Sequence, residues 1–140
     1  MPAENLEITR RLVDAFYRRD VETALALLDP EVEFHSALVE KKTYHGYAGL
    51  AQYRQDLDAV WSEWRSEGNR FLEAGQDQVL HLYRILGVGR GSGVRVQQDI
   101  AILWTLRGGR ILRGEVFLDQ ADALDAAGLR EQPLEGAEDV

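Results

Sequence analysis

An α+β fold, with helices preceding an antiparallel sheet, follows from two features of the chain. Up to residue 64 the apolar side chains recur mainly at helical spacing, and from residue 68 they fall in β-rich runs separated by glycine-containing turns. The turns "GRGSG" and "RGGR" are short, so the runs they join must lie side by side and antiparallel. Helices first and strands afterwards is the order of an α+β domain rather than of a βαβ repeat.

Within "LEITRRLVDAFYRRDVETALALL", Leu6, Ile8, Leu12, Val13, Phe16 and Tyr17 predict a first helix. Arg18, Arg19 and Asp20 break the pattern, and 21–28 reads as a second, short helix. Asp29-Pro30 stops it, because proline disfavours helix at the residue before it. A strand over 31–36 follows, then a polar loop. The segment 44–64 predicts a third helix, with Leu50, Tyr53, Leu57, Val60 or Trp61, and Trp64 on one face. "NRFLEAG", "QVLHLYRILGVGR", "GVRVQQDIAILWTL" and "RILRGEVFLD" are the strands of the meander. "QADALDAAGL" predicts a last short helix closed by Gly128. Residues 1–129 are expected to form one domain, and 130–140 a flexible acidic tail.

Composition removes several classes of function. A net charge of −8 leaves no basic footprint for nucleic acid or an anionic membrane. The absence of cysteine removes disulfides, thiolate metal sites and cysteine nucleophiles. The three histidines show no ligand spacing, so no metal is expected, nor any other cofactor. The N-terminus has no apolar leader core, and no apolar run reaches membrane-spanning length. A cytoplasmic protein is the expectation.

Alternation assigns faces to the strands. From 94 to 106 the even positions are apolar except Gln98, so this face is expected to meet the helices. If the "RGSG" turn pairs Arg90 with Gly93, Arg84 lies opposite Asp99, a favourable charge pair. His81, Tyr83 and Ile85 then stand beside Ile102, Ile100 and Gln98. A turn pairing Leu106 with Arg110 adds Leu112, Gly114, Val116 and Leu118 to the same face. Phe34 and Ser36 share the inner face of the first strand, and His35 points away. On the outer face Leu80, Leu82, Ala101, Leu103 and Phe117 form an apolar patch too large for a monomer to leave wet, which predicts a homodimer.

The succession of two helices, "LLDPEVEF", "TYHGYAGLAQY" and "AILWTLRGGRILRGEVFLDQADALDAAGL" resembles the SnoaL-like proteins, of the superfamily of ketosteroid isomerase and nuclear transport factor 2. The resemblance spans roughly residues 5–129, and its motifs are specific for fold rather than activity. It implies a cone: a strongly curved antiparallel sheet wrapped around N-terminal helices, enclosing a deep apolar pocket, with dimerisation through the convex face. In ketosteroid isomerase, one of the well-worked cases of pKa tuning, an aspartate base acts with a tyrosine and a protonated aspartic acid. Those positions are occupied here by Ser36, Leu12 and Ile102, so that catalytic set is absent. The Asp–Arg–Asp set of the epoxide-hydrolase branch is not matched either, because Asp99, Arg113 and Glu115 fall on the outer face.

Read together, the residues and the resemblance predict a pocket for a small apolar or aromatic ligand, lined by Ser36, Tyr53, Trp61, His81, Tyr83, Gln98, Ile102 and Trp104. His81, able to titrate near neutral pH, is the candidate base; Tyr83 and Gln98 would orient a ligand carbonyl, and Trp61 would form the mouth. Each polar group has an ordinary structural role as an alternative, bonding across strands in a core. Two functions therefore stay open. One is an isomerase, cyclase, dehydratase or hydrolase using His81, and the other is a non-catalytic binding or dimerisation module.

Overall fold

The computed structural model describes residues 2–38 and 40–129, so the predicted tail at 130–140 lies outside the described residues. The elements in order are α1 (Pro2–Tyr17), α2 (Val21–Ala26), β1 (Leu28–Ser36), β2 (Lys42–His45), α3 (Gly46–Val60), β3 (Trp61–Ala74), β4 (Gln78–Gly89), β5 (Arg95–Arg107), β6 (Arg110–Phe117) and α4 (Gln120–Ala126). The α+β order read from the sequence is the observed one. The six strands form one curved, unclosed sheet in the order β2-β1-β6-β5-β4-β3, with β1 and β6 parallel and the other neighbours antiparallel.

α1 buries Leu12 and Val13 of the stripe its periodicity predicts, together with Asn5, Thr9 and Ala15, while Leu6, Ile8, Phe16 and Tyr17 are partly buried. It ends where Arg19 takes φ 62°, after which the Asp20 carboxylate accepts from the Thr23 backbone N–H and hydroxyl and so starts α2. At the other end of the chain, Gly128 at φ 74° reverses the backbone after α4, and the Leu129 N–H donates to the Leu124 carbonyl at 2.8 Å.

The β4–β5 register is the predicted one: Arg84 faces Asp99 with Nε 2.9 Å from Oδ1, His81 faces Ile102, and Tyr83 faces Ile100. In β5–β6 the pairing is displaced by two residues from the expectation, with Trp104 opposite Gly114 and Ile102 opposite Val116. A two-residue shift preserves the face. A bulge between Thr105 and Leu106 changes it at the hairpin end, where Ile111 rather than Leu112 is fully buried. Leu118, expected inside, is 45% exposed beyond the end of the strand.

Four other expectations are corrected. The third helix stops at Val60, and Trp61 and Trp64 belong to β3. The reason lies in the β4–β5 turn: Arg90 donates its backbone N–H to the Val60 carbonyl at 2.9 Å and its Nε to the Asp58 carbonyl at 2.8 Å, closing the helix end. The first strand begins at Leu28, before the proline, with an irregularity between Leu28 and Glu33 that accommodates Pro30. The supposed polar loop contains β2, a short edge strand paired with β1.

The fourth correction concerns the outer face. Leu80, Leu82, Ala101 and Leu103 are not an open patch; they pack with Ala123, Leu124 and Leu129 of the C-terminal segment and are buried within one chain. The apolar patch from which a homodimer was expected is thus covered by the same chain. The concave face is covered by α1 and α3 only as far as Ile100, and Val94 and Val96 beyond it are 58% and 42% exposed.

Candidate functional site

Between the helices and the concave face lies a cavity of about 70 Å³. At about 30 Å³ of liquid volume per molecule that is room for about two waters, in a space not fully sealed from solvent. α1 contributes Leu12, Val13, Phe16 and Tyr17; β1 contributes Leu28, Val32 and Phe34; Tyr44 comes from β2. α3 adds Leu50 and Tyr53, and the sheet floor is His81 and Tyr83 of β4 with Ile102 and Trp104 of β5.

Two glycines let these walls approach. At Gly114 a Cβ would lie 2.7 Å from both Phe34 Cδ1 and Trp104 Cζ3, so only glycine admits the stacked pair, whose ring centres are 5.7 Å apart. Gly49 likewise brings α3 against β2, since a Cβ there would stand 3.0 Å from the Tyr44 backbone and Cβ. The result is an aromatic wall in which Tyr53 meets Phe34 edge-on at 4.7 Å and Tyr44 edge-on at 5.2 Å.

His81 sits in a sandwich. Its ring stacks on Phe71 at 4.4 Å and on Tyr83 at 4.3 Å, and its Nε2 lies 2.7 Å from Asn69 Oδ1. Asn69 reaches it from a bulge of β3 between Glu67 and Arg70. The amide oxygen accepts, so Nε2 carries a proton. Burial lowers the His81 pKa to about 3. Its Nδ1 and the Nε1 of Trp104 are buried without a hydrogen-bond partner among the described residues.

The tyrosines are shifted the other way. Burial pushes Tyr17 up to about 12, against the influence of its hydrogen-bonding neighbours Tyr83 and Ser66 and of the Arg54 charge. Burial also raises Tyr53, reinforced by the Tyr17 hydroxyl, and raises Tyr83, reinforced by both other tyrosines. Tyr44 is raised by burial and by Asp56, to which its hydroxyl donates. Every titratable side chain of the lining is therefore neutral at pH 7.

Of the eight residues singled out from sequence, Tyr53, His81, Tyr83, Ile102 and Trp104 come together around the cavity. Ser36 is buried just behind it as a hydrogen-bonding neighbour of Tyr53, with its Oγ accepting from the Leu38 N–H at 3.2 Å. Trp61 is a strand residue packed over Gly87 rather than at the mouth of the cavity. Gln98 has the expected parity but lies exposed on β5 past the helical cover, so it cannot orient a ligand there. Leu57, expected in the wall, is buried with Tyr44 and Tyr53 behind it.

Sequence reading did not assign Tyr17, Tyr44 or Phe16 to the site. The aromatic pair closing the first helical stripe was the available signal for Phe16 and Tyr17. Arg113 and Glu115 pair with each other at 3.4 Å on the surface, and Asp99 pairs with Arg84. A second recess, wider and polar, crosses the β3 bulge between Glu67, Arg70, Arg84 and Gln120, and Tyr83 borders both spaces.

Similarity to known proteins follows the fold. The chain is similar to an NTF2-like protein of unknown function from Burkholderia pseudomallei, with TM-score 0.73 and 22% identity over 87% of this chain and 95% of that one. It is also similar to TerC co-crystallised with polyporic acid, with TM-score 0.71 and 24% identity over 89% and 98% of the two chains. A third relative is a protein of ketosteroid isomerase-like fold from Catenulispora acidiphila in complex with trimethylamine, with TM-score 0.70 and 18% identity over 88% and 93%. These likenesses establish fold. No curated protein matches the chain. The SnoaL-like domain matches residues 9–114, from the middle of α1 to the glycine under Phe34 and Trp104, and the chain belongs to that family.

Proposed function

We propose that this chain binds a small, uncharged and largely apolar molecule in the cavity between α1, α3 and the sheet, and that His81 serves there as a neutral wall group. The observation that carries the reading is the electrical silence of the lining: five aromatic groups able to titrate, all held neutral by burial. An ion entering such a space would lose its hydration without gaining a counter-charge, whereas an apolar molecule loses nothing of that kind.

Acid–base catalysis centred on His81 fits less well. A general base works best with a pKa near the operating pH, and one near 3 holds its proton too weakly. Isomerase, cyclase, dehydratase or hydrolase chemistry commonly pairs a base with an acid, and among the described residues no Asp, Glu, Lys or Arg lines the cavity. TerC was co-crystallised with polyporic acid and the Catenulispora protein was solved with trimethylamine, so small molecules accompany this fold in those two proteins.

Calorimetry with toluene, benzoate and benzylammonium tests the proposal, because the three share one ring and differ in charge. Toluene should bind, and the two ions should not. Equal binding of benzoate or benzylammonium, or no binding of toluene, would overturn it.

A further inference from the structure

The polar recess on β3 is built around a disturbed ladder. Between Glu67 and Arg70 the pairing with β4 skips, which takes Gly68, at φ 64°, and Asn69 out of register. The space is about 500 Å³, open to solvent, and is lined by Glu67, Asn69, Arg70, Arg84, Asp99 and Gln120. Arg84 and Asp99 alternate with Tyr83 and Ile100, so they stand on the outer side of the sheet, away from the apolar cavity.

The charges of this lining do not pair off. Arg84 and Asp99 are spent on each other at 2.9 Å. Arg70 and Glu67 share the recess, yet among the described residues neither side chain makes a hydrogen bond or an ion pair. Glu67 acts only through its field at Arg84. Arg70 is partly buried, and its Nη1 is sealed from solvent without a hydrogen-bond partner among the described residues. The comparable nitrogen of Arg54 belongs to a side chain already held by the Phe16 carbonyl and two aromatic rings; Arg70 has no such hold. A guanidinium nitrogen that has given up its water needs an acceptor, and its planar fork fits a carboxylate. Gln120 is fixed by donating Nε2 to the Ile100 and Tyr83 carbonyls at 3.0 and 3.5 Å, which leaves its Oε1 as a further acceptor in the lining.

We propose that this recess binds a small zwitterion, with a carboxylate on Arg70 and an ammonium group on Glu67, so that the ligand class is a small amino acid. A lone carboxylate entering the recess meets Glu67 as well as Arg70, and a lone ammonium meets Arg70 as well as Glu67, so each single ion is opposed by a like charge. A zwitterion answers both. The site is independent of what fills the apolar cavity.

Glycine, β-alanine and 4-aminobutanoate set the two charges progressively further apart and serve as probes, with propionate and propylammonium as single ions. They are titrated into the isotope-labelled full chain and followed by NMR at the Asn69 side-chain amide. At least one zwitterion should bind about ten-fold more tightly than either single ion, the worth of one charge-assisted hydrogen bond. Arg70→Gln and Glu67→Gln should each weaken that zwitterion about ten-fold, with the Phe34 and Trp104 resonances of the cavity unmoved. Glu67 is exposed, so its substitution leaves the core intact. Zwitterions bound no more tightly than the single ions, or full binding retained by Glu67→Gln, would overturn the inference. Shifts at Phe34 and Trp104 in place of Asn69 would overturn it too, because they would put the molecule in the cavity.

Discussion

Acidification should destabilise this protein through His81 before any carboxylate is affected. In the unfolded chain its imidazole has the ordinary pKa of 6.5, and in the fold burial lowers it to about 3. Between those values the unfolded state holds one proton more than the folded state, so stability is full above pH 6.5 and falls as the pH drops. The slope approaches about 1.4 kcal/mol per pH unit, and integrating from pH 7 to pH 4.5 gives a loss of about 2.5 kcal/mol. The shifted carboxylates, Asp20, Asp29, Asp56 and Asp58, are all held below 3.8 and act at lower pH. The assay is urea unfolding at pH 7 and pH 4.5 for the unaltered chain and for His81→Phe, each compared with itself. The variant keeps a ring between Phe71 and Tyr83 but cannot take the proton. The unaltered chain should lose about 2.5 kcal/mol more than the variant over that interval. Parallel losses in both would mean that His81 titrates alike in the folded and unfolded states, and that it is not sealed in the wall.

Three further outcomes are expected. Leu124→Ala, which strips α4 from the outer sheet face, should cost about 2–5 kcal/mol in urea unfolding, and a negligible cost would mean that α4 does not cover that face. Leu103→Glu should unfold the chain rather than divide a dimer, which circular dichroism and light scattering together distinguish; a folded monomer would restore an interface on that face. Gly114→Ala should cost about 1–3 kcal/mol in a thermal melt and perturb Trp104 fluorescence, because its methyl group would overlap Phe34 and Trp104; an unchanged melt would refute the close approach.

The β4–β5 ladder was legible because two independent features agreed, a short glycine turn and the Arg84–Asp99 pair. Parity then placed His81, Tyr83, Ile102 and Trp104 on one face. What parity does not contain is the extent of the cover. Gln98 shares a face with Ile100, and only the length of α1 and α3 decides that one is exposed and the other is not. The same limit applies outside, where alternation found Leu80, Leu82 and Leu103 but not that α4 folds back over them. Val60, Trp61 and Trp64 fit a helical stripe as well as a strand. The choice was made by Arg90, thirty residues on, which ends α3 from across the fold. The helical face of Tyr53 placed it in the pocket, whereas Tyr17 carried helical apolar spacing and read as core. That both line one cavity with Tyr83 depends on how three elements pack, which no local pattern records.

The most direct measurement is a crystal structure with bromobenzene, located by the anomalous signal of its bromine. The account predicts a single strong peak between α1, α3 and the sheet, in contact with Phe34, Tyr53 and Trp104. A peak in the polar recess beside Arg70 and Gln120, with the aromatic cavity left unfilled, would contradict it.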